Sequence, residues 1–326
     1  MIIEIILGII IGIALILFSI TLGCFLKTFY SPKRKPLKEN EFRTAKGEIY
    51  EPYRPQMIAW MKDLRTRPHE NFSIVSFDGL TLRGKYYECK KGAPIELMFH
   101  GYRSTAEQDL CGGVQRCFDV GHNAFIVDQR GAGSSDGHVV SFGINEHKDC
   151  LRWIDFLIEH FGNDVNIILT GISMGAATVL TAAGKQLPDN VIFILSDCTF
   201  STPKDIIQKV IVDMKLPPVL AYHFIKFAAQ IFGKFDLEET SPLHAMKTCK
   251  KPVIFYHGTT DAYVPCEMSQ TVYEACHTHK KLVLVDGAGH GLSCMLDNDG
   301  YLNALKDFEK ECMENHKKTH EHYSDI

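Results

Sequence analysis

The chain has 326 residues, of which 45% are hydrophobic, and this is enough to bury the core of one large α/β domain. Its formal net charge of −4 shows no basic excess, which argues against a nucleic-acid-binding protein. The chain has eleven cysteines, an odd number, and no C-x-x-C pair, which argues against a disulfide framework and against a zinc site. Free thiols are typical of a reducing compartment.

The first segment of the chain, residues 5–26, is apolar, uncharged and long enough to cross a bilayer as a helix. A signal peptide is the less favoured alternative, because the only early charged side chain is Glu4 and no A-x-A-like site follows. Residues 21–24 resemble a lipoprotein box only faintly, since Thr21 stands where leucine is usual. We therefore expect residues 1–26 to be an uncleaved anchor.

Basic side chains follow this anchor and set its expected orientation. They are Lys27, Lys33, Arg34, Lys35 and Lys38. The positive-inside rule then predicts a single-pass protein of the cell membrane with its catalytic body in the cytoplasm. Residues 27–70 are predicted to be a basic linker with a short amphipathic helix at 57–64. That helix could lie on the membrane or pack on the domain, and packing on the domain is the favoured alternative.

From residue 71 to residue 326, strand and helix patterns alternate, which predicts one α/β domain with a mostly parallel sheet and helices on both faces. Asp78-Gly79 predicts a hairpin turn between the first two strands. The predicted strands are 72–77, 80–87, 95–100, 124–128, 165–170, 191–196, 252–257 and 281–285. Helices are predicted near 144–160, 176–185 and 299–315.

Residues 199–250 interrupt the alternation with two apolar, helix-like runs, 206–212 and 221–232, which Pro217-Pro218 separates. An insertion after the carboxyl end of a strand lies over the crevice where α/β sheets bind ligands. We therefore predict a small helical lid at 199–250. The second run, with Phe224 and Phe227, is expected to line an apolar substrate site.

The segment Gly171-Ile172-Ser173-Met174-Gly175 follows a β-branched strand and precedes a helix. This G-x-S-x-G pattern at a strand-to-helix turn is typical of a nucleophile elbow, which exposes a serine hydroxyl near the amino end of a helix. We expect Ser173 to be a catalytic nucleophile.

A nucleophilic serine needs a histidine base and a carboxylate that orients it. Asp261 and His290 each follow the carboxyl end of a predicted strand, in the order Ser, Asp, His, and glycines flank His290. We expect His290 to be the base and Asp261 the acid. Asp197 is a rival acid, whereas Asp286 lies too close to His290 in sequence to be a comfortable partner.

Two backbone amides are expected to bind the oxyanion: that of Met174, and that of Tyr102 in the loop after the third strand. His100 is expected to brace this loop. The stretch 128–137 lacks the Gly-Lys-Ser/Thr of a phosphate-binding loop and is interpreted as a structured loop braced by Arg130. We predict no cofactor and no metal. The tail residues His316, His320 and His322 are expected to be solvated.

These motifs together resemble the α/β-hydrolase superfamily over residues 70–312. The motifs are His100-Gly101, residues 128–131, the serine elbow at 171–175, residues 257–261 with Val264-Pro265, and Gly289-His290-Gly291. The chain is most similar to the membrane-anchored bacterial members of the serine aminopeptidase S33-like branch, near small-capped esterases and monoacylglycerol-lipase-like enzymes. The resemblance implies the fold and the triad but leaves the substrate open. A serine at the elbow does not imply dehalogenase chemistry, and no H-G-G-G run is present.

Three functions remain. The favoured one is a serine hydrolase that cleaves small, lipophilic acyl esters through an acyl-enzyme. A serine peptidase is the second, and a non-catalytic binding protein on the same scaffold is the third. The sequence does not indicate an oligomeric state or the physiological substrate.

Overall fold

An eight-stranded sheet forms the centre of the computed structural model, which describes residues 1–35 and 37–324, with side chains up to residue 314. The strand order is β1-β2-β4-β3-β5-β6-β7-β8. The first two strands are antiparallel to their neighbours and the others pair in parallel, which confirms the mostly parallel sheet. The strands are β1 Glu70–Val75, β2 Thr81–Tyr87, β3 Ile95–Phe99, β4 Asn123–Asp128, β5 Ile167–Ile172, β6 Val191–Asp197, β7 Val253–Gly258 and β8 Lys280–Val285.

Helices cover both faces of the sheet. They are α1 Ile2–Thr28, α2 Arg54–Thr66, α3 Ala106–Val120, α4 Glu146–Phe161, α5 Met174–Ala183, α6 Pro203–Asp213, α7 Pro218–Ala228, α8 Pro242–Met246, α9 Cys266–Ala275, α10 Ser293–Leu296 and α11 Asn298–Ser324. Side chains alternate along each buried strand, so Leu97 packs with α4 and α5 on one face while Met98 packs with α3 on the other. His316, His320 and His322 lie in α11, but their side chains are outside the described residues.

One helix among the described residues, α1, is long and apolar enough to cross a bilayer. Its carboxyl end is part of the domain core, because Phe25 and Phe29 are buried against side chains of the lid and of the loop before α4. Phe29 lies 6.0 Å from Phe142 and 5.3 Å from Phe235, measured between ring centroids. Tyr30 then pairs with Val139 as a β-bridge.

The segment 27–70 contains helical structure that packs on the domain. A 3-10 helix at Glu48–Tyr53 leads into α2. The apolar side chains Met61 and Leu64 of α2 are buried against α3, so packing on the domain is the arrangement observed. A Cβ at Gly112 of α3 would come within 2.8 Å of the Trp60 ring, so the close approach of the two helices needs this glycine.

The insertion after β6 consists of α6 and α7, a short π-helical segment at Ala229–Gly233, and α8. Pro218 begins α7, and Pro217 caps it in an extended conformation, so the Pro-Pro pair separates the two helices as expected. The α7 helix packs along α1, and Phe232 contacts both Phe18 and Phe25 of α1, at centroid distances of 5.8 and 5.5 Å. The lid is therefore joined to the amino-terminal helix.

Candidate active site

Ser173 lies at a sharp turn between β5 and α5. Its φ of 57° and ψ of −118° are a strained conformation for a residue with a side chain. A Cβ at Gly175 would lie 2.0 Å from the Phe99 carbonyl oxygen, and one at Gly171 would lie 2.2 Å from the Gly175 carbonyl oxygen. Both glycines of the G-x-S-x-G pattern are therefore required by the packing of this turn. The Ser173 amide donates to the Asp197 carbonyl oxygen at 2.8 Å, which holds the turn against β6.

His290 and Asp261 meet at the carboxyl edge of the sheet, on the loops after β8 and β7. The His290 Nδ1 atom lies 2.6 Å from Asp261 Oδ2. The other carboxylate oxygen accepts hydrogen bonds from the Tyr263 and Val264 amides, each at 2.9 Å. Burial on its own would raise the pKa of Asp261, but the hydrogen bonds from His257 and His290 outweigh it, and the pKa lies well below its usual range. The Asp261 carboxylate is therefore ionised and accepts a hydrogen bond from the His290 imidazole.

A second histidine, His257, for which no role was predicted from the sequence, shares this carboxylate. Its Nε2 atom lies 3.1 Å from Asp261 Oδ2 and 2.8 Å from the Val264 carbonyl oxygen. Both partners are acceptors, so Nε2 carries a proton. Its Nδ1 atom contacts Ser269 Oγ at 2.6 Å. The only sequence signal for this role is its position four residues before Asp261, at the end of a buried strand.

The rival carboxylates have other partners. Asp197 is buried and accepts a hydrogen bond from the Tyr301 hydroxyl at 3.1 Å, and its Oδ1 atom has no partner among the described residues. Burial raises the pKa of Asp197 to about 6. Asp286 accepts from the Thr259 hydroxyl at 3.0 Å. Of the three candidate acids, Asp261 is the one that the structure brings into hydrogen-bond contact with His290.

A cavity of about 530 Å³ opens over these residues, and Ser173, His290 and Tyr102 line it. From the lid, Ile206 and Val210 of α6 contribute to its wall. The second lid run does not line it, and that expectation is wrong for Phe224 and Phe227. The buried side chains of α7 pack against α1 and α6 instead, and they cover the carboxyl end of the amino-terminal helix.

The loop after β3 brings the predicted oxyanion donors near the serine. A Cβ at Gly101 would lie 3.5 Å from the Ser173 Cβ, and the Gly101 amide is already bound to Asp109 Oδ2 at 2.9 Å. The next amide along the chain is that of Tyr102, whose ring is fixed by a hydrogen bond from its hydroxyl to the Thr28 carbonyl oxygen at 2.7 Å. Met174 follows the serine as the first residue of α5. The donor roles of these two amides remain predictions.

His100 braces that loop from inside the core. Its Nε2 atom accepts a hydrogen bond from the Gln129 amide at 3.0 Å, so Nδ1 carries the proton and donates to the Gly101 carbonyl oxygen at 2.8 Å. Arg130 braces the neighbouring loop through ion pairs with Asp149 at 2.6 Å and Asp78 at 2.9 Å. Both residues are structural supports of the site.

Among the described residues, one group could offer three metal ligands: Cys198, Asp261 and His290, whose ligand atoms lie within 4.8 Å of one another. Burial raises the pKa of the Cys198 thiol well above its usual range, so the sulfur is the protonated, weakly ligating form. The Asp261 and His290 atoms already bond to each other. This donor set suits a histidine–carboxylate couple better than a metal ion.

Comparisons with known proteins agree with this architecture. A family model described as alpha/beta hydrolase fold matches residues 97–230. Protein YqkD of Bacillus subtilis is 29% identical over 73% of this chain and 78% of its own length. Protein bem46 of Schizosaccharomyces pombe is 27% identical over 69% of this chain and 70% of its own length.

Among solved structures, the esterase Pf2001 of Pyrococcus furiosus superposes with a TM-score of 0.62 at 20% identity, covering 85% of this chain and 99% of that one. An esterase from Exiguobacterium antarcticum gives 0.54 at 17% identity, covering 73% and 98%. The chain therefore has the α/β-hydrolase fold, preceded by an apolar helix.

Proposed function

We propose that this chain is a serine hydrolase that cleaves carboxylic esters through an acyl-enzyme. The observation that carries the proposal is the 2.6 Å hydrogen bond between His290 Nδ1 and Asp261, at a cavity that His290 lines together with the strained Ser173. The backbone strain at Ser173 and the fixed orientation of the His290 imidazole each cost free energy of folding, and a purely structural site requires neither of them. This consideration favours catalysis over a non-catalytic binding role.

The proposed reaction follows from which atoms are already bonded. His290 Nδ1 is engaged by Asp261, so Nε2 is the nitrogen that takes the proton from the Ser173 hydroxyl as its oxygen attacks the ester carbonyl. The amides of Tyr102 and Met174 stabilise the tetrahedral oxyanion, with help from the positive end of α5. His290 then gives the proton to the leaving alcohol, and water releases the acyl group by the reverse steps.

The cavity favours an uncharged, apolar acyl group over a peptide terminus. Ile206, Val210 and Trp60 line it. Neither of its two lining carboxylates is an exposed, unpaired anion: Asp109 accepts from Gly101 and Ser104. Asp197 accepts from Tyr301 and is buried, which raises its pKa to about 6, although its Oδ1 atom has no partner among the described residues. A peptidase that recognises an amino terminus needs an ionised carboxylate that can pair with the ammonium group. Peptidase function is therefore less favoured than ester hydrolysis.

The amino-terminal helix supports a lipophilic substrate. We propose that α1 is an uncleaved, single-pass anchor of the cell membrane and that the body faces the cytoplasm, as in the membrane-anchored bacterial branch that the motifs resemble. Because Phe232 contacts Phe18 inside the apolar stretch, the π-helical segment after α7 would lie beside α1 within the apolar layer of the bilayer. The anchor thereby holds the catalytic cavity beside a phase in which lipophilic esters concentrate.

The test is hydrolysis of p-nitrophenyl esters from acetate to dodecanoate, beside aminoacyl p-nitroanilides, by the full chain in detergent. We expect kcat/KM to rise up to about C8, by at most roughly fourfold per added methylene, the equivalent of about 0.8 kcal/mol. Ser173→Ala should lose activity by a factor on the order of 10⁶ in kcat.

A lid variant locates the acyl site. Val210→Asp should flatten the chain-length profile, because Val210 lines the cavity. Val212→Asp is the matched control, since Val212 is on the same helix and is more exposed, and it is not among the cavity-lining residues. Faster turnover of anilides than of any ester would favour the peptidase, and equal effects of the two lid variants would place the acyl site elsewhere.

A further inference from the structure

A second and larger cavity, of about 820 Å³, lies between the segment that follows α1 and the face formed by β2 and the start of α3. Its lining includes none of Ser173, Asp261 and His290, and it shares only Ser104 and Gln108 with the cavity over the proposed active site. Residues 31–43, whose described members cross over this face, close it on one side.

Cationic side chains dominate the lining, with eight lysines and arginines against three acidic residues. Four of the cations belong to the segment 31–43, where the positive-inside bias would place basic residues. The other four come from three separate elements: Arg65 of α2, Arg83 and Lys85 of β2, and Arg103 of the loop before α3. The orientation of the anchor does not account for these, because they converge only in the folded chain.

The acidic residues leave much of this positive charge unbalanced. Glu107 is paired with Arg65 at 2.7 Å. Arg83 is paired at 3.4 Å with Asp136, which is outside the cavity lining. The Asp128 carboxylate accepts hydrogen bonds from the Ala106 and Ser134 amides. The Glu107 and Asp128 carboxylates are therefore committed to structural partners.

Three arginines lie close enough to repel one another. Burial lowers the pKa of Arg34, and the nearby charges of Arg43 and Arg103 lower it further. The Arg103 Nε atom is buried and has no hydrogen-bond partner among the described residues. An anion in the cavity would relieve this repulsion and offer acceptors to guanidinium groups, which bind phosphate oxygens in a bidentate manner.

The cavity begins where the apolar helix ends. Arg103 donates from Nη2 to the Leu26 carbonyl oxygen at 3.2 Å, in the last turn of α1. Ser31, three residues past the helix, lines the cavity. If α1 spans the bilayer, this is the level of the lipid headgroups.

We propose that this cavity binds a phosphate-bearing anion. The phosphate can belong to the headgroup of an anionic phospholipid at the end of α1 or to a soluble phosphorylated small molecule, and the recognition chemistry is the same. The inference does not depend on the ester hydrolysis proposed above.

The test uses the full chain in a neutral detergent, titrated by calorimetry with dihexanoyl phosphatidylglycerol, with glycerol 3-phosphate and with dihexanoyl phosphatidylcholine. The variant is Arg43→Gln with Lys85→Gln. The control is Lys90→Gln with Lys91→Gln, which removes the same charge from two exposed lysines outside the cavity lining. Retained thermal stability verifies that both variants fold.

We expect saturable binding of phosphatidylglycerol that weakens at least tenfold in the cavity variant, stays within twofold in the control, and is absent for phosphatidylcholine. Equal affinity for glycerol 3-phosphate would identify the phosphate group alone as the ligand, and much tighter lipid binding would identify the headgroup of a membrane lipid. Absence of binding for both anions would overturn the proposal. So would equal weakening in the two variants, because that is nonspecific charge attraction.

Discussion

The Asp261 carboxylate is held in place by four hydrogen bonds. One of its oxygens accepts from two histidines, His257 and His290, and the other accepts from two backbone amides. Four donors fix both the position of the carboxylate and its ionised state, since each of them stabilises the anion. The consequence is an imidazole at His290 whose tautomer is set before any substrate arrives.

The choice of acid gives a prediction at this scale. In Asp261→Asn, the amide can turn its NH₂ group toward His290 and favour the wrong tautomer, so kcat should fall by about 10⁴. Asp197→Asn should keep activity within about threefold, a cost below about 1 kcal/mol, because Asn can still accept from Tyr301 and removes a costly buried charge. Ester hydrolysis by the two variants checks this. The reverse order of effects would make Asp197 the acid.

A buried polar network joins several elements behind the site. Glu96 of β3 is paired with Arg116 of α3 and lies 2.8 Å from His122, the residue before β4. The other ring nitrogen of His122 lies 2.8 Å from Glu309 of α11. Carboxylates on both sides of one imidazole favour its doubly protonated form, so the network holds four elements together by a charged histidine.

The pH dependence of stability tests this network. Burial alone would lower the pKa of His122, but hydrogen bonds to Glu309 and Glu96 raise it from the usual 6.5 to about 9. A raised folded-state pKa gives stability that is complete below pH 6.5 and lost as pH rises through about 9. The difference is about 3 kcal/mol. Thermal unfolding between pH 6 and 9.5 should therefore show a falling Tm.

Two matched variants distinguish the contribution of His122 to the pH dependence of Tm from that of other histidines. His122→Gln should lower Tm at pH 6 and flatten the fall above pH 6.5. His279→Gln removes a histidine that pairs with Glu311 at the exposed surface, and it should leave the profile unchanged. An unchanged slope in His122→Gln would mean that His122 is not charged in the folded protein.

At the scale of the whole molecule, the amino-terminal helix is both an apolar segment and a part of the core. The aromatic side chains of Phe25 and Phe29 fill the space between the lid and the loop before α4. Truncation should therefore have two distinct results, depending on where it ends.

Deletion of residues 2–17 leaves too few apolar residues to span a bilayer, so the truncated chain should be released from membranes by carbonate, while the full chain should resist. Deletion of residues 2–30 also removes Phe25 and Phe29, and the loss of a buried Phe side chain costs about 3–5 kcal/mol. The longer deletion should have a lower Tm or aggregate. Carbonate release of the full chain, or equal Tm values of the two truncated forms, would contradict this account.

The sequence was sufficient for the parts of the fold that depend on local patterns. The strands, the hairpin at Asp78-Gly79 and the elbow at Ser173 could be predicted because alternation, turn residues and glycine spacing are local signals. Helix α3 escaped prediction because Gly112 and Gly113 lie in its interior, where glycine is unfavourable. Their presence is explained by close packing, of Trp60 against Gly112 and of Met98 against Gly113.

Long-range packing limited the rest of the prediction. The apolar second run of the lid could not be assigned to α1 rather than to the cavity, since both partners demand the same hydrophobic side chains. The role of His257 likewise depends on a side chain that faces inward from β7 toward Asp261, and no spacing rule specifies it.

The central claim is that Ser173 is an activated nucleophile in the intact protein. The most direct measurement is reaction of the full chain in membranes with a fluorophosphonate probe, followed by peptide mass spectrometry. We expect one adduct, on Ser173, no adduct in Ser173→Ala, and strongly slowed labelling in His290→Ala, because the imidazole must take the serine proton. A folded full chain that remains unlabelled, or an adduct on another serine, would contradict the account.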